Sequence, residues 1–569
     1  MSLTESSPTE TAPSAPVERK PVRRVLGVVL TVAAAVLVFA ALVVPETIAR
    51  PKAGAFVPGG FVRIPIEGIL GAAVLLAVPA RWRRVAAGLL GLGLGGVAVL
   101  KVVNMGFRTV LGRKFNPVLD WPLFHDGYNA LVETDGKATA VGAVIAAILL
   151  SAALLVLLTL AVVRLARVTV RYSLPARRTL VGLSAAWLAF ALTGTAFFPN
   201  APVASDSAAG LVKTTAKQIP AAIRDQRQFA EESRTDAFRD VPADQRLAGL
   251  RGKDVVIGVV ESYGRSSITD PAMAALVDPV LSAGTAQLAK AGYHAKSGFL
   301  TSSTYGGGSW LAHGSFQSGL WINSQQRYRQ LTASDRLTLT SAFHQGGWNT
   351  VGVEPGNTVA WPEAKFYGYD TVYDSRNLGY KGPRFGWSRM PDQYTLSAFQ
   401  REEYSKVHGP LMAELTLTSS HEPWTPIPQT VAWDAVGDGS VYRPMALQGE
   451  KRNVLWKSPA KTQIEYAKSI AYSVSNLVSW AEKYGDDNLV LVFFGDHQPI
   501  PLVSGTNASR DVPITIVAHD PAVLDRIAGW GWQDGLKPDP QAPVWKMDAF
   551  RDKFFAAFGT RPAATRQTH

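Results

Sequence analysis

Apolar positions fall into two regimes along this chain. In the first 200 residues they run together in long stretches with almost no charge, the length a helix needs to cross a bilayer. Five such stretches stand at 25–47, 63–80, 85–106, 138–163 and 179–198, and Pro65, Glu67 and Pro79 interrupt the second. The first is too long in its apolar core to be a removable signal peptide, and no small-residue cleavage site follows it. Beyond about residue 251 the apolar runs become short and alternate with helix-like segments: 255–260, 273–291, 309–320, 337–345, 350–353, 411–417, 462–484, 489–494 and 512–517. The pattern predicts a five-helix transmembrane domain over 25–198, a linker region over 199–250 and an α/β domain with a mainly parallel central sheet over 251–560.

Polarity arrives abruptly where several of the short runs stop. The run 489–494 ends in Gly495-Asp496-His497, the run 255–260 in Glu261-Ser262, and the run 411–417 leads through Thr418, Ser419 and Ser420 to His421 before a proline-rich loop. Ligands and metals bind at the carboxyl ends of strands in an open α/β sheet, so each tip presents a candidate group there. Between them, Gly306-Gly307-Gly308-Ser309 reads as a tight turn into a helix, which puts Ser309 at a helix N-terminus, favourable to an alkoxide and an incoming phosphate. His313 follows one turn later on the same face, to assist the site or to pack against it. Each feature also has an ordinary reading: Asp496 and Glu261 as caps, Ser309 as an N-cap, His421 as a surface histidine. The ordinary readings do not explain the constellation jointly.

Charge fixes an expected orientation. Arg19, Lys20, Arg23 and Arg24 precede the first apolar stretch, Arg81, Arg83 and Arg84 separate the second and third, and Arg164, Arg167, Arg171, Arg177 and Arg178 separate the fourth and fifth. By the positive-inside rule these segments are cytoplasmic, with 1–24 a disordered cytoplasmic tail and everything after 199 extracytoplasmic. The loop around Asp120-Trp121-Pro122-Leu123-Phe124-His125-Asp126 reads as interfacial. The net charge of +12 comes partly from these arginine clusters, and no aromatic-basic pattern for nucleic acid accompanies it. The chain has no cysteine, which excludes disulfides and thiolate chemistry.

These residues resemble the membrane-anchored phosphotransferases of the alkaline phosphatase and sulfatase superfamily, especially lipoteichoic acid synthases and, more distantly, phosphoethanolamine transferases. The resemblance implies a sulfatase-like extracytoplasmic catalytic domain in which Glu261, Ser309, Asp496 and His497 hold one divalent metal, Mn²⁺ or Zn²⁺. It implies Ser309 as nucleophile, His421 as a catalytic and substrate-binding histidine, and Trp361 as a substrate-binding residue, with His313 a further candidate beside them. The implied activity is transfer of a phospholipid-derived phosphoglycerol or phosphoethanolamine group to an envelope glycan or lipid through a phosphoseryl intermediate. Glu363 stands where the lipoteichoic acid synthases keep an arginine, and no formylglycine motif surrounds Ser309, which speaks against sulfate ester hydrolysis. A membrane-bound phosphodiesterase or phosphatase, and a non-catalytic envelope scaffold, are the alternatives.

Overall fold

The computed structural model describes residues 20–43, 61–111, 113–198, 201–406 and 408–560. Most of the expected tail, and residues 44–47 of the first apolar stretch, lie outside them. The chain divides into two compact units, Met1–Val102 with Ile145–Thr214, and Val103–Val144 with Thr215–His569.

Apolar helices build the first unit: α1 (Lys20–Val43), α2 (Ile66–Ala77), the body of α3 (Arg83–Leu111), α5 (Lys137–Arg171) and α6 (Ser173–Thr193), with α4 (Pro122–Asp135) falling in the second unit. Among the described residues α1, α3 and α5 are each long and apolar enough to cross a membrane. Many of their valines and leucines are exposed, as suits a lipid solvent. The chain is a multi-pass membrane protein. Among the described residues α2 has 12 residues, about 18 Å of helix against a hydrocarbon core of roughly 30 Å. Close packing within the unit comes from Gly91 and Gly95, four apart on α3. A Cβ on Gly91 would lie 2.6 Å from Thr159 Cα, and one on Gly95 2.9 Å from Leu155 Cα, so α3 and α5 meet backbone to backbone.

In the second unit the short apolar runs form one sheet. Its strands are β1 (Asp254–Val260), β2 (His294–Thr301), β3 (Asn349–Glu354), β4 (Thr371–Asp374), β5 (Leu411–Leu417), β6 (Leu489–Gly495), β7 (Asp511–Ala518), β8 (Gln533–Asp534) and β9 (Val544–Lys546). Their order is β8-β2-β7-β6-β1-β5-β3-β4, with β9 alongside β2. The five strands from β6 to β4 are mutually parallel, while β7 runs antiparallel to both β6 and β2. The domain is α/β with a mainly parallel sheet, as the alternation predicts.

Period-two alternation sends successive side chains of β1 and β6 into two different cores. Val256 and Val260 with Leu489, Leu491 and Phe493 face one side, and Val255, Ile257 and Val259 with Val490, Val492 and Phe494 face the other. The first face is covered by α8 (Pro271–Lys290) and α10 (Pro459–Tyr484). Ser458 caps α10 by accepting from Lys461 N, Pro459 occupies its first turn, and Tyr466, Ile470, Val474, Leu477 and Ala481 form the buried stripe. Helix α8 is also apolar and 20 residues long, but Met273, Val277, Leu281 and Leu288 are spent on the sheet core. The second face is covered by α9 (Ser309–Ser318) and α11 (Ala549–Phe558), where Phe316 stacks between Phe494 and Phe550 at 4.1 and 4.5 Å. Full burial of each such ring contributes about 2–3 kcal/mol.

The stretch 103–144 belongs to this unit as well. Its turn is closed by Arg113, which makes a bidentate pair with buried Asp120 at 2.7 and 2.8 Å, and by the edge-on rings of Phe107, Phe115 and Phe124. Trp121 stays exposed beside them, consistent with the interfacial character expected of this loop.

Candidate metal and nucleophile site

Register places the site. Val260 on β1 pairs with Gly495 on β6 and with Leu417 on β5, so three neighbouring strands end level, and Glu261, Asp496 and Thr418 are the next residues of each. The chain cannot leave these tips freely, because Gly495 passes so close to Tyr263 that a Cβ would lie 1.9 Å from its carbonyl oxygen. Ser262 adopts a φ of 57°, a strained left-handed turn for a side chain of its kind. That turn aims its N–H at Asp496 Oδ1, 2.7 Å away, and its hydroxyl donates to Glu261 Oε1 at 2.9 Å.

Ser309 arrives on the turn that precedes α9. Gly306, Gly307 and Gly308 have φ of 69°, 149° and 79°, and a Cβ on Gly306 would lie 2.3 Å from Val110 O, so the turn needs glycine for both conformation and space. Gly306 N donates to Gln498 O at 2.9 Å, tying the turn to the loop that carries Asp496 and His497. Ser309, the first residue of the helix, donates its hydroxyl to Glu261 Oε2 at 3.0 Å and lies 3.3 Å from His497 Nε2.

Glu261, Asp496 and His497 converge as one buried group whose ligand atoms all lie within 4.8 Å of one another. His497 Nδ1 faces Gln498 O at 2.8 Å, which puts the proton on Nδ1 and leaves Nε2 bare toward the carboxylates. Asp496 Oδ1 accepts from Ser262 N and His497 N, but its buried Oδ2 has no hydrogen-bond partner. Burial and the neighbouring Glu261 charge push the Asp496 carboxyl up. Burial also works against Glu261, but without a metal the positive charge of protonated His497 and His421, with hydrogen bonds from Asp496 and Ser262, outweighs it and holds that carboxyl low. Two buried carboxylates with one orphaned oxygen, an imidazole with a bare nitrogen and a serine hydroxyl fit a divalent cation of the Mn²⁺ or Zn²⁺ type.

His421 sits on the third tip. Its ring stacks on Trp387 with centroids 4.0 Å apart, its Nδ1 contacts Glu422 O at 2.7 Å, and Ser420 beside it donates to Glu261 O at 2.6 Å. His313, one turn after Ser309, pairs with Glu414, Nδ1 to Oε1 at 3.2 Å. Trp361 lies in an aromatic cluster with Tyr367 and Tyr369, ring centroids 5.4 and 6.0 Å away. Glu363 and Lys365 line a different cavity, with Arg239, Arg246 and Arg336.

Sequence reasoning missed Glu354, Glu414 and Tyr369. Glu354 ends β3 and accepts from Thr416 at 2.8 Å, and Glu414 accepts from Tyr369 at 2.9 Å and also from Gln317. The signal was present: Glu354 follows an apolar run as Glu261 does, and Glu414 is the one charge inside 411–417.

Fold and site together define a membrane-anchored α/β protein with a carboxylate, imidazole and hydroxyl cluster at the carboxyl edge of its sheet. The chain is similar to solved structures of two transferases and a lipoteichoic acid synthase. It matches lipooligosaccharide phosphoethanolamine transferase A from Neisseria meningitidis at 13% identity over 94% of each chain, with a TM-score of 0.43. The phosphoglycerol transferase GacH from Streptococcus pyogenes, in complex with sn-glycerol-1-phosphate, matches at 14% over 59% of this chain and 82% of that one, with a TM-score of 0.35. The lipoteichoic acid synthase LtaP from Listeria monocytogenes matches at 16% over 48% of this chain and 66% of that one, with a TM-score of 0.33. No known family profile matches the chain, and no curated protein does.

Proposed function

We propose that the protein transfers a phospho-headgroup of the phosphoglycerol or phosphoethanolamine type from a phospholipid to an envelope glycan or lipid, through a phosphoseryl intermediate on Ser309. The observation that carries this reading is the position of Ser309 Oγ, 3.0 Å from Glu261 Oε2 and 3.3 Å from His497 Nε2 beside the orphaned Asp496 Oδ2. A divalent cation held by Glu261, Asp496, His497 and Ser309 would favour the serine alkoxide and draw charge from a phosphoryl oxygen. Ser309 sits at a helix N-terminus, where free backbone N–H groups and the helix dipole favour both its alkoxide and the phosphate. As the phosphorus–Oγ bond forms, the bond to the lipid glycerol oxygen breaks and diacylglycerol departs with a proton from His421. The acceptor hydroxyl then attacks phosphorus, its proton passing to His421, and the phosphorus–Oγ bond breaks to free Ser309.

The sheet domain, as residues 251–560, is the catalytic domain in this reading, with 199–250 as its connection to the membrane part. The arginine clusters favour a cytoplasmic N-terminus and an extracytoplasmic site. Purified full-length protein is to be incubated with labelled phosphatidylglycerol and phosphatidylethanolamine. Diacylglycerol release from one of them, with headgroup recovered on envelope acceptors and a phosphate trapped on Ser309, is expected. Free headgroup with no transfer would convert the reading to a hydrolase, and no release from either lipid would overturn it.

A further inference from the structure

Beside the triad lies a second buried polar cluster that phosphoryl transfer does not itself require. His313 is four residues after Ser309 on α9, so their Cβ atoms are about 5–6 Å apart on one helix face. Its Nδ1 is held by Glu414 at 3.2 Å, and its Nε2, shielded from solvent, has no hydrogen-bond partner. Glu414 is itself fixed by Tyr369 and Gln317, and Thr340 in turn donates to Gln317. That chain locks the imidazole ring close enough to the triad for its charge to act on Asp496 and His497. A buried donor left unsatisfied by so complete a network is a place reserved for a ligand oxygen.

An acceptor stands nearby. Glu354 ends β3, two strands from β1 and so about 10 Å across the sheet from the strand that carries Glu261. Its Oε1 accepts from Thr416 at 2.8 Å. Burial raises its carboxyl, His313 pulls it down and Glu414 pushes it up again, with about 7 the result. The carboxyl is thus poised to ionise against a donor that arrives with a ligand. Trp361, packed on Tyr369, supplies an apolar wall next to this network.

We infer that Glu354 and His313 form the headgroup pocket of the site: His313 Nε2–H donates to a phosphoryl oxygen, and Glu354 selects headgroups that carry a hydrogen-bond donor, hydroxyl or ammonium, beyond the phosphate. The inference rests on the proposed phosphotransfer at Ser309, and a binding measurement tests it separately. Full-length protein loaded with Mn²⁺ is titrated with sn-glycerol-1-phosphate, phosphoethanolamine and methyl phosphate, the last having no donor beyond its phosphate. The wild type is expected to bind one of the first two at least tenfold more tightly than methyl phosphate. Glu354→Ala erases that preference and leaves methyl phosphate binding within about twofold, which also reports an intact fold. Glu354→Gln separates the sources, since its amide oxygen still accepts from a hydroxyl but offers an ammonium no charge. His313→Ala weakens all three ligands by a similar factor. Equal binding of the three by the wild type overturns the pocket, as does a preference that survives Glu354→Ala or a loss of methyl phosphate binding in that variant. Selective binding without diacylglycerol release would remove the transferase reading and leave the pocket standing.

Discussion

Ser309 donates its hydroxyl to Glu261, Oγ to Oε2 at 3.0 Å, although 47 residues of chain separate them. Strand β1 delivers the acceptor and a three-glycine turn the donor. Ser309→Ala is expected to abolish turnover, by a thousandfold or more, while metal content measured on the purified protein stays close to one per chain. Substantial residual activity in that variant would remove Ser309 as the nucleophile.

Asp496 gives a prediction about metal-free protein. Its carboxyl is buried against Glu261, and their mutual repulsion is relieved only by a cation or a proton. Asp496→Asn should therefore raise the melting temperature of chelated protein by a few degrees. It should also abolish the further rise that Mn²⁺ or Zn²⁺ gives the wild type. A melting curve with and without chelator checks both signs, and an unchanged metal response would exclude Asp496 as a ligand.

The nucleophile turn should be intolerant of a single methyl group. Gly306→Ala combines a φ of 69° with a Cβ 2.3 Å from the Val110 carbonyl oxygen. The turn has to shift, and a displacement of about 1 Å at a reacting atom costs on the order of a hundredfold in rate. The expected outcome is that loss in kcat with metal binding kept, read by single-turnover kinetics and metal analysis.

His313 makes stability depend on alkaline pH. Burial disfavours its charged form, but the hydrogen bond and charge of Glu414 prevail and raise it from 6.5 to about 9. The folded protein therefore holds this proton more tightly than the unfolded chain does. The stabilisation is complete below pH 6.5 and drains away as pH rises through 9, with an upper bound of about 3 kcal/mol. Thermal midpoints of wild type and His313→Gln in detergent should differ most at pH 6.5 and converge by pH 10. A difference independent of pH would place the effect in packing.

Much of this architecture was legible because buried parallel strands read as unbroken apolar runs, and a polar residue directly after such a run has few places to be but a strand tip. That rule located Glu261, Asp496, His497 and His421, and the glycines located Ser309. It missed β2, whose Lys296 and Ser297 face the antiparallel margin with β7 and β8 and break the apolar signature. It missed Glu414 because the residue lies within a run, where only the fold reveals that His313, Gln317 and Tyr369 satisfy it. Trp361 and His313 were singled out separately. Their connection passes through Tyr369 and Glu414, on segments that periodicity does not join. At α2, composition suggests a span, and Pro65 and Pro79 leave 12 helical residues between them.

The pairing of Val260 with Gly495 makes the site an address written in strand register. The 234 residues between Glu261 and Asp496 include several loops, and length changes in any of them leave the two tips facing each other. One residue gained or lost inside β1 or β6 would instead turn the tip side chain to the opposite face of the sheet. Insertions and deletions among descendants of this gene should therefore crowd into the loops and be absent from two windows, 254–262 and 489–498.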